Sequence, residues 1–406
     1  MNQTDVLVIG AGISGASMAH WCAKGGRSVA VLERDDGPGG CMRSRRLGAE
    51  DGVPQGFWWE LGAHTCYNSY GALIDLLSEC DGLGKLLPRQ KAPFRLLVGD
   101  QIRSIPGELS FLELAFSAPK LLVSSKAGKS VREFYGPIVG KGNYAKVFSP
   151  LFAAVPSQPA DDFPAEMMFK KRPRRKEILR SFTLQGGLQT AVELALATPG
   201  VTLYKNADAT GIFLDSEGYR VELSDGRQFR AQALALALPP SEAAKILGQI
   251  NAPLAKELQR ITTQTVRSLG LTVAKAQAGI ERVAGIVPRQ DVFYSAVSRD
   301  VVDDTERRGF TFHLRPGVSR DQALARIAVA LSCPIDQLQH ITERQVQLPA
   351  PVVGHDQVVA AAEKALLQGA KGLYLVGNYF TGLAIEDCVL RARAEANRLL
   401  AGTALA

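Results

Sequence analysis

DVLVIGAGISGASMAHWCAKGGRSVAVLER, running from Asp5 to Arg34, is the stretch whose reading decides the fold. It opens with a short apolar run, Val6 to Ile9, that ends at Gly10. Gly10-Ala-Gly12-Ile13-Ser14-Gly15 then carries the G-x-G-x-x-G spacing. A helix-length segment follows, and a second apolar run, Val29 to Leu32, stops at the acid Glu33. The spacing predicts strand, turn, helix and strand, the unit that binds a dinucleotide. Gly10 permits the tight turn, Gly12 leaves space for backbone to approach a pyrophosphate, and Gly15 lets the helix pack closely on the strand. The helix N-terminus offers N–H groups and a positive dipole end to the phosphates. Glu33 stands where an acid accepts hydrogen bonds from a ribose.

The next thirty residues bear on which dinucleotide. They contain Gly39-Gly40-Cys41-Met42-Arg43-Ser44 and then Glu60-Leu61-Gly62-Ala63-His64. A glycine pair after the acid, an Arg-Ser beyond it and a later E-x-G resemble the extended FAD fingerprint of the flavin amine oxidase and protoporphyrinogen oxidase superfamily. Domains that take only NAD do not normally carry it. The resemblance implies non-covalent FAD and an α/β fold. That fold has a Rossmann-like FAD-binding domain of the amine oxidase type, an inserted α+β substrate domain and a helical subdomain. It places cofactor contacts at Gly10, Gly12, Ile13, Ser14, Gly15, Glu33, Arg34, Gly40, Cys41, Arg43, Gly62, Ala63 and His64. Arg43 is expected to neutralise diphosphate. Cys41 departs from the family pattern, which commonly has Lys or Arg there.

The chain has 406 residues, enough for two or three domains. Its composition, 46% hydrophobic and 21% charged, is that of a globular enzyme. A net charge of +7 favours anionic partners, among them carboxylate substrates and anionic lipid. No nucleic-acid-binding module is evident, so nucleic acid is discounted. Cysteines 22, 41, 66, 80, 333 and 388 form no C-x-x-C pair, so no metal site is expected. Met1 to Asp5 has no basic signal region, and no apolar run reaches the ~18 residues of a spanning helix. These features predict a cytoplasmic protein, with peripheral contact to a membrane surface kept open. They leave the oligomeric state open.

Along the chain, Ser69 to Leu87 reads as a helix ended by Gly82 to Gly84, and Phe94 to Ile105 as a hairpin around Gly99-Asp100. Leu109 to Ser124 is strongly apolar, and predicts a core or interdomain helix pair broken at Pro119. The alternative is a substrate-channel or membrane-surface segment. Phe169 to Lys176, FKKRPRRK, reads either as a solvated charge run or as a site for anionic lipid or acidic substrate. Val201 to Leu203, Thr210 to Leu214 and Ala233 to Leu238 read as strands, with a hairpin across Asp225-Gly226. This series resembles the superfamily's middle FAD segment, which implies a backbone contact from Ala209 to adenine and a return of Ala237-Leu238-Pro239 beside the cofactor. Strands from Val266 to Leu314, a helix capped by Ser319 and a strand at Ile341 to Val346 suit a sheet-based substrate domain. There His313 reads as a satisfied sheet-face histidine, and Lys275 is a weak match for the flavin-adjacent lysine of amine oxidases.

Gly372-Leu-Tyr-Leu-Val-Gly377-Asn378-Tyr-Phe-Thr-Gly382-Leu-Ala-Ile385-Glu386-Asp387-Cys388 repeats the opening pattern of strand, glycine loop and helix. It resembles the G-N-x-x-x-G-x-x-I-x-D-C segment of protoporphyrinogen oxidases, which implies cofactor contacts at Gly377, Asn378, Gly382 and Ile385. Upstream, Leu348 to His355 resembles that family's P-x-Y-x-x-G-H stretch, with Val where an aromatic is usual. The expected division is 1–75, 181–245 and 352–406 for FAD, 76–180 for a helical substrate or membrane-facing subdomain, and 246–351 for the substrate sheet. The resemblance implies hydride transfer from a small, apolar, carboxylate-bearing molecule to flavin N5, with reoxidation by O2 or another acceptor. Alternatives are an amine oxidase or other small-molecule oxidase, and a non-redox flavoenzyme of the UDP-galactopyranose mutase type. No catalytic residue is identified.

Overall fold

The computed structural model describes residues 2–53 and 55–403. Val6 to Ile9 lies in β1 (Asn2–Ile9), within a seven-stranded sheet. β2 (Val29–Leu32) pairs parallel on one side of it, followed by Val201–Tyr204. Gln228–Leu236 pairs parallel on the other side. Leu234 to Leu236 also pairs parallel with Leu373–Leu375, while the earlier half of that strand joins an antiparallel meander with Gly218–Leu223 and Ala209–Asp215. β1 reads as a continuous apolar run because both faces are covered. Val6 and Val8 pack with α1 (Ile13–Lys24), and Leu7 and Ile9 pack with the helices Pro240–Leu247 and Ala252–Gln259 behind the sheet.

The C-terminal helix, Ile385–Thr403, lies alongside α1. Ser14 at the start of α1 meets Cys388, and Gly25 at its end has no space for a Cβ because Leu400 fills it. The two helices therefore run parallel, and both N-termini open at the same end of the sheet, beyond the carboxyl ends of the strands.

A second seven-stranded sheet has the order Gln339–Pro349, Thr263–Ala274, Arg307–Leu314, Phe293–Ser298, Gly285–Pro288, Phe94–Val98 and Gln101–Ser104. One face packs under the helix Arg320–Leu331 through Leu269, Leu271, Phe310, Phe312 and Ile327. Ser319 caps that helix in a reciprocal pair with Gln322, as its position before the apolar run predicts. The hairpin at 94–104 forms as read and extends this sheet, and its Leu96 and Val98 pack against Val147, Phe148 and Leu151 of the helical segment.

The helix expected over 69–87 is shorter. α2 (Gly71–Glu79) ends at Cys80 and Asp81, the latter left-handed at φ 54°, and Leu86–Pro88 then pairs as a strand with Ser181–Leu184. The apolar run at 109–124 does break at Pro119, into α3 (Phe111–Ser117) and a 3-10 turn, Ala118–Val123. Most of its large side chains point outward, contrary to the expected core packing, while Leu109 and Leu114 pack inward.

Candidate cofactor site

Gly10 has φ +102°, and a Cβ on it would stand 2.6 Å from the carbonyl oxygen of Ala237. Ala237 is thus the floor of the turn, so Ala237-Leu238-Pro239 does return beside the glycines. A Cβ on Gly15 would overlap the Gly10 carbonyl, so α1 sits as close to the turn as backbone allows. Across the turn, Gly39 donates its N–H to Ala11 at 2.9 Å, and a Cβ on Gly40 would come within 3.1 Å of the Gly12 Cα. The two glycine motifs, nearly thirty residues apart, form one bare backbone surface. Glu33 closes its side. Its carboxylate accepts from the N–H of Ala11 at 2.8 Å and of Asp35 at 3.0 Å. Each oxygen keeps a further lone pair for a ribose hydroxyl.

The third fingerprint joins this surface through backbone. The Cys41 carbonyl accepts from Ala63 at 2.9 Å, and it lies so close to Gly62 that no Cβ fits there. No side chain caps α1, whose N-cap is Gly12, and no acid stands in its first turn. Its N–H groups and positive end are therefore left for an anion. A bare glycine surface, an uncapped helix end and a carboxylate with spare acceptors fit a dinucleotide diphosphate and ribose.

The C-terminal loop is held from several sides. His355 bonds through Nε2 to the Tyr379 carbonyl at 2.6 Å. Glu386, buried, accepts from the N–H groups of Ala72 and Leu73 at 2.9 and 3.1 Å and so caps α2. Asp387 pairs with Arg172 at 2.8 Å and Lys170 at 3.5 Å. Lys170 also bonds the Thr381 carbonyl, and Arg175 pairs with Asp75. The basic run of 170–176 is thus partly a clamp on this loop. Gly377 and Asn378 are half-buried, Ile385 is buried in the core with α1, and Gly382 faces Asp387 and Lys170.

Arg34, Arg43 and Ala209, also expected at the cofactor, have neighbours of their own. Arg34 is exposed, 4.0 Å from Asp35. Arg43 bonds Asp36 at 2.6 Å and the Pro38 carbonyl, beside Gly37 and Gly39. Ala209 opens its strand opposite Leu223, and Asn206 and Ala207 are the residues that bond Asp35 and Glu33. Arg344 was not foreseen. It reaches from the second sheet to within 3.5 Å of Asp35, and a lone arginine in a strand gives no sequence signal. Lys275 is exposed and bonds the Asp304 carbonyl, and His313 is satisfied by Ser268 at 3.0 Å.

Beyond the third fingerprint the site has a buried titratable wall. Burial lifts the Glu60 carboxyl to about 7, against hydrogen bonds from Ser44 and the Leu188 N–H. Burial, with the nearby Arg89 and His313 charges, holds His64 down at about 3, and burial holds His313 at about 4. Among the described residues no His, Cys, Asp and Glu group could hold a metal, and no helix is long and apolar enough to cross a membrane.

Residues 8–80 match the family of NAD(P)-binding Rossmann-like domains. The chain is 26% identical to the protoporphyrinogen oxidase of Bos taurus over 256 residues, covering 56% of this chain and 54% of that protein. It spans about half the length of the curated relatives it matches. Among solved structures, a protein from Exiguobacterium sp. 255-15, assigned as a protoporphyrinogen oxidase, aligns with a TM-score of 0.78 at 17% identity over 99% of both chains. A redesigned putrescine oxidase aligns at 0.73 and 15% identity, covering 98% and 99% of the two chains. A reduced UDP-galactopyranose mutase aligns at 0.75 and 14% identity, covering 98% and 96%. At such identities the structural likeness is one of fold. Residues 8–80 thus carry a Rossmann-like dinucleotide-binding unit, and the described chain shares its overall fold with these three proteins.

Proposed function

We propose that this chain is an FAD-dependent oxidoreductase of the protoporphyrinogen oxidase kind. It would take a hydride from a small, largely apolar, carboxylate-bearing molecule. One observation carries the reading: three separate stretches, 10–15 with Glu33, 40–41 with 62–63, and 377–385, converge at one end of the sheet. Bound FAD supplies the hydride acceptor. The chain's own residues do the rest. Gly12 and Gly40 admit the diphosphate, Glu33 holds the ribose, and the N-termini of α1 and of Ile385–Thr403 favour negative charge. The second sheet is tied across to the first by Arg344 at Asp35.

The oxidase reading is favoured over an amine oxidase by two placements. Tyr379 and Phe380 are buried core rings, 4.5 Å apart with Arg391 on Phe380, and so are not a cage at the site. Lys275 stands at a surface turn. The test is anaerobic mixing of the purified protein with protoporphyrinogen, with amines and with other porphyrinogens. Bleaching of the flavin by a porphyrinogen and recovery in air are expected. Bleaching by amines alone would move the assignment to the amine oxidases. Turnover of UDP-galactopyranose by reduced flavin, with no donor bleaching it, would move it to the mutases.

A further inference from the structure

His313 stands in a polar row that crosses the second sheet on the face away from Arg320–Leu331. The register runs from Ser295 to His313, from His313 to Ser268 and from Ser268 to Arg344, over four neighbouring strands. The apolar residues beside them, Ala296, Phe312 and Leu269, face the helix. One end of the row meets the dinucleotide surface, where Arg344 reaches Asp35. The same face docks on the third fingerprint, in order along Arg307–Leu314. Gly309 leaves space for Phe57 and Trp59, and Thr311 donates to the Glu60 carbonyl. His313 is the next residue on that face, about 7 Å further along the strand. There its charge acts on His64, the residue after the Gly62-Ala63 backbone. The row thus runs from the third fingerprint to the Glu33 side of the site.

Its polar groups are buried and only partly used. His313 is 5% exposed and Ser295 3%. Ser268 engages Nδ1 of His313 at 3.0 Å, and Nε2 has no protein partner among the described residues. The Ser295 hydroxyl has none either. An unpaired buried polar atom calls for an explanation, and a bound ligand is one. Burial also keeps the His313 ring uncharged at neutral pH, so a lone pair is free. We propose that His313 is the base of the reaction, taking at Nε2 the proton that the substrate gives up as its hydride departs. This rests on the oxidoreductase reading above. With Nδ1–H donating to the Ser268 hydroxyl, the Nε2 lone pair faces the substrate. The substrate C–H bond breaks with both electrons leaving for the flavin. The N–H bond conjugated to that carbon breaks with its electrons staying, and they become the new π bond of the product. Its proton ends on Nε2. With O2 as acceptor, the two electrons and proton of the hydride and the proton of the imidazolium leave together as H2O2.

The test uses the FAD-loaded protein and His313→Gln, which is close in size and lacks the base. His313→Ala serves if the glutamine variant loses flavin. Anaerobic bleaching by the porphyrinogen should slow by a factor of about 10²–10⁴ at unchanged flavin content. A second readout needs no donor. Sulfite adds to flavin N5, so its dissociation constant and the flavin absorption band report the groups at the reacting edge. In the variant the sulfite constant should change severalfold and the band should move. Bleaching as fast in the variant as in the parent overturns the base alone. Slow bleaching with unchanged sulfite affinity and absorption band means a distant structural effect and also overturns it. A parent that no donor bleaches defeats the oxidoreductase reading, and the base with it.

Discussion

Glu33 shows how a single residue serves both the fold and the site. Its two backbone bonds fix the turn at Ala11 and the bend at Asp35, and each carboxylate oxygen keeps a lone pair for the proposed ribose contact. Glu33→Ala should therefore weaken FAD retention by roughly 1.5–3 kcal/mol and also lower stability, since two N–H groups lose their acceptor. The flavin-to-protein ratio after dialysis measures the first effect, and an unchanged ratio would remove Glu33 from the ribose. Glu33 and the glycines were legible because their chemistry is local: spacing alone sets the turn. The Arg43–Asp36 pair was not legible, because a positive charge in a sequence does not say which anion it meets. Glu60 gives a pH test. Its folded value of about 7 lies above the ~4.3 of an unfolded chain. Its contribution is therefore complete below that unfolded value and is lost as pH rises through about 7. His64 and His313, held down at about 3 and 4, act oppositely: their contribution is present above ~6.5 and lost as pH falls. Glu60→Gln keeps the shape without the titration. Its thermal midpoint relative to the parent should rise between pH values of about 5 and 8. A constant offset across that window would show that Glu60 does not titrate there.

At the scale of elements, the C-terminal loop and helix depend on clamps that sequence spacing did not reveal. The run 372–388 announced a strand, a glycine loop and a helix, and all three form. It did not announce that Asp387 would meet Lys170 and Arg172 from a segment more than two hundred residues earlier. That contact is a property of the packed chain. It alters what Gly382 is for. A Cβ on Gly382 would overlap the Asp387 carboxylate and come within 3.1 Å of the Lys170 ammonium, so the glycine leaves space for the clamp itself. Gly382→Val should break the clamp and lower the thermal midpoint, with flavin lost only as the loop loosens. Asp387→Asn removes the charge without adding bulk. It should cost about 3 kcal/mol because it leaves Arg172, mostly buried, without its partner. Similar midpoints for both variants would confirm the clamp. A full midpoint in Asp387→Asn together with flavin loss in Gly382→Val would show that the valine acts on the cofactor directly.

For the whole molecule, the question is what a dinucleotide joins. The family matched by residues 8–80 is described by NAD(P), and an adenine dinucleotide of any kind could use Gly10 to Gly15 and Glu33. The rest of the site does not lie in those residues. In the proposed site the other wall is the C-terminal loop, pinned by His355, Lys170 and Arg172, and Arg344 of the second sheet meets Asp35. A ligand long enough to span from Glu33 to 377–385 would tie the first and last parts of the chain and, through them, the second sheet. Binding to the folded state alone stabilises it by an amount that grows with the logarithm of ligand concentration, about 4 kcal/mol at a thousand times Kd. Flavin-stripped protein titrated with FAD should therefore show a steadily rising midpoint and a single cooperative transition. NAD and NADP, engaging chiefly the first unit, should raise the midpoint little at equal concentration. The check is calorimetry on one stripped preparation with the three ligands in parallel. Equal stabilisation by NAD would mean that the far wall contributes nothing to the cofactor, and the three-stretch convergence would have to be read as packing alone.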